Sequence, residues 1–304
     1  MANLVYYLQF FIYQILEIIF FFLPRKTCLF LGRASGFLAY YLDRKHSQIA
    51  LSNLQIAFGR EFSSPSLKKT ARSSFVHFGQ TLIDLIKISH LKKNQMENLI
   101  TPEGEENLEK VLRGGKGVLL FSGHFGNWEI ASFFLSRFGK LWVTARPLDN
   151  KLLEKELTRL RTSLGANIIY KQQATRQILH SLRQGEMVAL LIDQNVLRSQ
   201  AIFVDFFGKS AATTPSLASF SLRTKSPILP VFCYPTPNRR YRLKISEPLK
   251  IALEGNHEQD VLKITQTCTK IIETEIRRNP GYWLWLHKRW KTRPKNEEQR
   301  KGIK

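Results

Sequence analysis

His124 and Glu129 form the spacing in this sequence best suited to chemistry, in the run Phe-Ser-Gly-His-Phe-Gly-Asn-Trp-Glu-Ile that starts at Phe121. An unperturbed imidazole, with a pKa near ~6.5, can take a proton from an alcohol at neutral pH. A carboxylate beside it fixes the tautomer and steadies the imidazolium that forms. Such a general base contributes roughly 10²–10⁴-fold to a rate. On one continuous helix a five-residue spacing would set the two side chains about 140° apart. Gly123 and Gly126 instead permit a sharp turn, and Asn127 is a good N-cap for a helix starting at Trp128. His124 is then expected in the loop and Glu129 in the first helical turn, with the carboxylate holding the imidazole. An isolated pair of this spacing also occurs where a turn histidine is merely hydrogen-bonded and the glutamate solvated, so the surrounding elements carry weight. No GxSxG pattern accompanies the pair, and Ser122 lies in Phe-Ser-Gly-His. Direct attack by an acceptor hydroxyl is therefore the simpler scheme, without a covalent enzyme intermediate.

The elements that must position this pair read as α/β. Continuous apolar runs at 118–121, 141–144, 187–192 and 228–232 suggest strands of a sheet covered on both faces. Helical stretches lie between them at 129–137, 150–164, 174–184 and 216–224, which predicts a mixed, mostly parallel central sheet flanked by helices. Residues 241–245 suggest an added edge strand, and 260–277 a final long helix. Ahead of the sheet, 27–60 reads as helical, and Ser64-Pro65 starts a helix that runs to about His90.

From Leu4 to Leu23 the chain is apolar and Phe-rich, with Glu17 its only charge. Its length would cross a bilayer core of roughly 30 Å, but Gln9, Gln14 and Glu17 leave room for a helix lying in the interface. Arg25, Lys26 and Arg33 follow and favour a cytoplasmic body. The expected organisation is a membrane-anchor helix over 1–24, an enzymatic domain over 25–290 and a basic polar tail over 291–304. Lys+Arg 46 against Asp+Glu 24 gives a net charge of +22, which favours polyanionic partners. Helix-turn-helix, zinc-finger and RNP patterns are absent and the basic residues are scattered, so nucleic acid is not expected. Cys28, Cys233 and Cys268 are far apart and form no CxxC or Cys/His cluster, so neither a disulfide framework nor a metal site is expected.

Several blocks in order, from about Gly32 to Pro294, give the chain a family resemblance: His124-Phe-Gly-Asn-Trp-Glu129, Ala145-Arg146-Pro147-Leu148-Asp149-Asn150, Arg161 with Gly165, Asp193-Gln194-Asn195, Phe206-Phe207-Gly208 with Thr213-Thr214, and Trp283 to Trp290. The sequence resembles the lipid A biosynthesis lauroyl/myristoyl acyltransferases, within the broader HxxxxD/E glycerolipid acyltransferases. The resemblance implies an acyl-carrier-protein thioester as donor and no cofactor. It implies an anionic lipid A precursor as acceptor and a place on the cytoplasmic side of the bacterial inner membrane. It makes His124 the general base and Glu129 its partner, and gives importance to Arg161 and Asp193. By their chemistry, Arg161 could bind a lipid phosphate or stabilise an oxyanion, and Asp193 could orient that arginine or a backbone loop. A helix–sheet salt bridge is the plain structural reading of both. Arg146 could assist a donor or acceptor phosphate, with a structural part as the plainer reading. Trp283, Trp285 and Trp290, with His287, Lys288 and Arg289, suit either an interfacial belt or core aromatic packing. Two rivals stand beside this reading: the same architecture acting on another membrane glycolipid, and a basic membrane-tethered binding protein. A hydrolase using the same base on water is a third.

Overall fold

The computed structural model describes residues 2–170 and 174–295. Five helices lead the chain: α1 (Ala2–Phe22), α2 (Arg25–Leu42), α3 (Arg44–Phe58), α4 (Ser64–Ile88) and α5 (Lys93–Glu97). Pro24 separates the first two, since it cannot continue a helix. The stretch read as helical over 27–60 is divided at Asp43, whose side chain accepts the His46 N–H and caps α3. α2 packs tightly on α4 because both present glycine: a Cβ on Gly36 would run into the Phe75 carbonyl, and one on Gly79 into that of Gly32. Arg25 stands in the first turn of α2, the wrong end of the helix dipole for a cation. Asp84, fully buried on α4, offsets this by accepting two hydrogen bonds of 2.7 Å from its guanidinium.

Strands and helices then alternate: β1 (Ile100–Glu103), α6 (Glu105–Leu112), β2 (Val118–Ser122), α7 (Trp128–Leu135), β3 (Leu141–Ala145), α8 (Lys151–Ser163), β4 (Ala166–Tyr170), α9 (Ala174–Arg183) and β5 (Met187–Leu191). After a hairpin of β6 (Ile202–Phe206) and β7 (Lys209–Thr213) come α10 (Ser216–Thr224), β8 (Ile228–Pro235), β9 (Tyr241–Ile245) and α11 (His257–Arg278). Seven strands make one sheet in the order β1-β9-β8-β2-β5-β3-β4. All neighbours pair in parallel except β8 with β9. This is the mixed, mostly parallel sheet flanked by helices that the apolar runs predict. β9 is not an edge, because β1 pairs along its outer side. β1 and β4 escape the sequence reading; each is an edge strand, and β1 carries Pro102, which only an edge strand tolerates well. In the separate hairpin, Phe207 (φ 56°) and Gly208 (φ 70°) form a tight two-residue turn of the kind that requires positive φ twice.

Side chains alternate across the sheet. Leu119 and Phe121 of β2 enter one core with α11 and the C-terminal tryptophans, while Val118 and Leu120 enter another with α7. Trp283, Trp285 and Trp290 are 1%, 0% and 5% exposed, so they are core packing and not an interfacial belt. The basic tail expected from 291 is described only to 295; residues 296–304 lie outside the described residues.

Candidate active site

β2 and β5 lie side by side in register, Ser122 opposite Leu191. Their C-terminal ends therefore deliver His124 and Asp193 to the same place, the rim of a parallel sheet where α/β folds commonly bind ligands. His124 Nδ1 lies 2.8 Å from Asp193 Oδ1. A carboxylate only accepts, so Nδ1 carries the proton and Nε2 presents a lone pair. Asp193 Oδ2 accepts two further bonds, from the His124 backbone N–H at 2.8 Å and from Trp283 Nε1 at 2.6 Å. Gly123 leaves room for this approach: a Cβ there would stand 3.0 Å from Asp193 Oδ2.

Asp193 is 2% exposed. Burial alone would raise its pKa, but the facing His124, then its hydrogen bonds and the nearby His287, hold the carboxyl well below the usual carboxylate range. It remains ionised, as a partner for an imidazolium must. His287, stacked edge-on against Trp283, is pushed down to about 4 by burial against the pull of Asp193. It therefore stays neutral, with Nδ1 hydrogen-bonded to the Leu284 carbonyl. The nearby guanidinium of Arg289 is fully buried, lowered to about 10 by burial, and bonded to Ala212 O and Thr213 Oγ1.

This geometry corrects the expected pairing. The carboxylate on the imidazole is that of Asp193, and Glu129 turns instead to Arg161. Arg161 Nη2 reaches Glu129 Oε1 at 2.6 Å, and Nε lies 3.1 Å from Oε2. Trp128 Nε1 adds a bond of 3.1 Å to Glu129 Oε1. Nor does Asp193 orient Arg161; its backbone partner is the His124 loop. Arg146 stands past the end of β3 with its side chain 84% exposed, 4.0 Å from Asp149, and among the described residues has no hydrogen bond or ion pair to His124 or Asp193. The local reading of the loop holds. Gly126 has φ +59°, and any Cβ there would collide with the Cys233 carbonyl oxygen. Asn127 caps α7 by accepting the Ile130 N–H, and Glu129 falls in the first turn.

Sequence reasoning missed what lies behind this loop. Asn127 Nδ2 donates to Tyr241 Oη at 2.8 Å, and Tyr241 donates to Asp84, the carboxylate held by Arg25. The turn is thus tied through β9 to α4 and to the start of α2. Gln194 was quoted only as part of a block; its amide Nε2 lies 3.3 Å from His124 Nε2, where an incoming hydroxyl would have to stand. The one sequence signal for the Asp193 pairing was its place just past an apolar strand, matching that of His124.

A cavity opens between α7 and the sheet. β2, β3, β5 and β8 supply its floor, Ala131 and Leu135 its roof, and Ser122, Trp128, Glu129 and Arg161 its polar side. Trp128 also packs edge-on against His124, with ring centroids 5.2 Å apart, so the base and the cavity are neighbours. The Cys233 thiol lines the cavity, and burial pushes its pKa up, so it stays protonated and is a poor nucleophile. Among the described residues, no group of three or more His, Cys, Asp or Glu side chains is placed to hold a metal ion.

An activatable base beside an apolar cavity suits transfer of a hydrocarbon-bearing group, and comparison with known proteins gives that reading a family. The model for bacterial lipid A biosynthesis acyltransferases matches residues 1–292. The chain belongs to this family. It is 28% identical over 277 residues to a lipid A biosynthesis palmitoleoyltransferase of Escherichia coli K12, covering 90% of this chain and 88% of the relative. It is 24% identical over 281 residues to the lipid A biosynthesis lauroyltransferase of the same organism, covering 91% and 90%. A phosphatidylinositol mannoside acyltransferase of Mycobacterium tuberculosis is 25% identical over 223 residues, covering 71% and 68%. As a member of the family the protein is an acyltransferase, and membrane association fits the long apolar helix at Leu4–Phe22.

Proposed function

We propose that this acyltransferase moves a fatty acyl group from an acyl-carrier-protein thioester to a hydroxyl of a lipid A precursor, by direct attack, at the cytoplasmic face of a bacterial inner membrane. The observation that carries the proposal is the His124 imidazole, its Nδ1 tied to an ionised Asp193 and its Nε2 facing the Gln194 amide beside an apolar cavity. The acceptor hydroxyl displaces the Gln194 amide and gives its proton to His124 Nε2 as its oxygen attacks the thioester carbonyl carbon. Asp193 stays ionised and steadies the imidazolium. The tetrahedral intermediate collapses by breaking the carbon–sulfur bond, and the departing thiolate takes the proton from His124. An ester and a free carrier thiol result.

The acyl chain of the donor occupies the cavity under α7. Arg161, on the polar side of that cavity, places positive charge near the carbonyl oxygen as it becomes an oxyanion. Glu129 holds Arg161 there through its Nε and Nη2, which leaves this arginine poorly disposed to grip a lipid phosphate with the same two donors. The protonated Cys233 supports direct attack over an acyl-enzyme. The net charge of +22 suits both an acidic carrier and an anionic lipid.

Incubation with acyl-carrier-protein donors and a tetra-acylated lipid A precursor, followed by mass analysis, tests the proposal. A product heavier by one acyl group is expected, with no acyl chain left on the denatured protein. The relative that acylates a phosphatidylinositol mannoside supports a second acceptor class, so a mannosylated phosphoinositide belongs in the same assay. Transfer to that lipid alone would move the assignment; release of free fatty acid alone would make the protein a hydrolase.

A further inference from the structure

The long apolar helix α1 has two faces, and one of them is spoken for by the body of the protein. Tyr6, Phe10, Tyr13, Glu17 and Phe20, alternately four and three residues apart, turn inward, with Phe20 buried and the others half-buried. Asn150, the N-cap of α8, donates to Tyr6 O and Gln9 Oε1 at 3.0 Å each. Arg159 of α8 bonds to Tyr13 Oη and Glu17. His90 Nε2 lies 3.1 Å from Glu17, and Lys87 Nζ donates to Phe21 O at 2.9 Å. These ties run from residue 6 to residue 21, about 22 Å of helix axis. Two of the polar residues that weaken α1 as a span, Gln9 and Glu17, thus help to dock it.

A helix crossing the bilayer could not keep these partners cheaply. Its middle would draw Arg159, Glu156 and the end of α4 into hydrocarbon, where each charge costs roughly 2.5–3.5 kcal/mol even on the mildest insertion scale. Among the described residues, none covers the opposite face. Leu4, Leu8, Phe11, Ile15, Ile18 and Phe22 follow the helical repeat and are 55–78% exposed. Across Pro24 the same pattern continues: α2 turns Gly32 and Gly36 onto α4, and leaves Phe30, Phe37, Leu38 and Tyr41 exposed. Lys26, Arg33 and Arg44 are exposed on or beside α2.

We propose that α1 does not cross the membrane but lies in its plane, held along its length by α8 and α4. Its outer face and that of α2 enter one leaflet of a bilayer with anionic headgroups, the cations of α2 meeting the phosphates. Because α8 carries Arg159 to α1 and Arg161 to Glu129, the cavity is set beside that leaflet.

The test replaces Leu4, Phe11, Ile18 and Phe37 one at a time with cysteine, in a chain whose buried Cys28, Cys233 and Cys268 are changed to alanine. Each is labelled with an environment-sensitive fluorophore and bound to phosphatidylethanolamine–phosphatidylglycerol vesicles carrying lipid quenchers at known depths. All four labels are expected at one shallow depth, and omission of phosphatidylglycerol should weaken binding. A label at Phe11 deep in the bilayer, with Leu4 and Ile18 shallower by about 10 Å, would overturn the proposal, because that is the profile of a span. Four labels that no lipid quencher reaches would overturn it equally. As a second measure, an epitope added before Met1 should be digested by protease in the same membrane vesicles that expose the body at Leu253. Its protection there would place the two on opposite sides and refute an in-plane helix.

Discussion

The two faces of the central sheet are finished in different ways. On one face Trp283, Trp285, Trp290, Phe206 and Phe207 close ring against ring, Trp283 and Trp285 with centroids 4.5 Å apart. This wall presents the Trp283 N–H to Asp193 and keeps His287 neutral beside it. On the other face α7 covers the strands but leaves a cavity. Each face has a buried carboxylate with a different partner: Asp193 on the packed side holds an imidazole, while Glu129 on the open side holds a guanidinium. The packed face holds a proton acceptor through the hydrogen bonds of Asp193. The open face leaves the space proposed for the acyl chain. A single tight core could not do both, because interiors packed at native density have no space left for a ligand.

The largest test of this division compares the two carboxylates. Asp193→Asn should lower kcat by roughly 10²–10⁴-fold, with the acceptor KM little changed, since it removes a partner of the base. Glu129→Gln should lower kcat less and should be worsened little by adding Arg161→Gln, because both act through one pair. Equal losses from Asp193→Asn and Glu129→Gln would remove the distinction between the two faces.

The next test fills the cavity. Ala189 lies on its floor, so Ala189→Leu should shift donor preference toward shorter acyl chains, with discrimination of about 10–200-fold for each methylene denied space. Unchanged chain-length preference in a competition assay would place the donor elsewhere.

The smallest effect concerns acid. His77 and His287, both packed on the tryptophan side, are pushed down to about 4 by burial. Between their ordinary pKa near ~6.5 and about 4 the unfolded chain takes protons that the folded chain refuses. Stability should therefore be full above about pH 6.5 and decline as pH falls toward 4. His77→Gln should flatten the decline in Tm over that window by several degrees. An unaltered slope would show that this face does not set the acid response.

Much of the candidate site was legible before any coordinates. The apolar run, the two glycines and Asn127 are contiguous, and a turn followed by a capped helix is a local outcome, so His124 and the start of α7 followed from neighbours in the chain. The sheet was legible wherever a strand is an unbroken apolar run. It was not at Ala166–Tyr170, an edge strand in which the polar Asn167 interrupts the apolar run.

Sequence alone settled that an imidazole stands at the exit of a buried strand, because backbone propensities act over a few residues. It could not choose between two carboxylates. Glu129 is five positions from His124 and Asp193 sixty-nine, yet the second makes the bond. Parallel pairing of β2 with β5 carries Asp193 to the histidine, while the turn of α7 carries Glu129 away to Arg161. Strand register is a property of the assembled sheet, and no short stretch of sequence contains it.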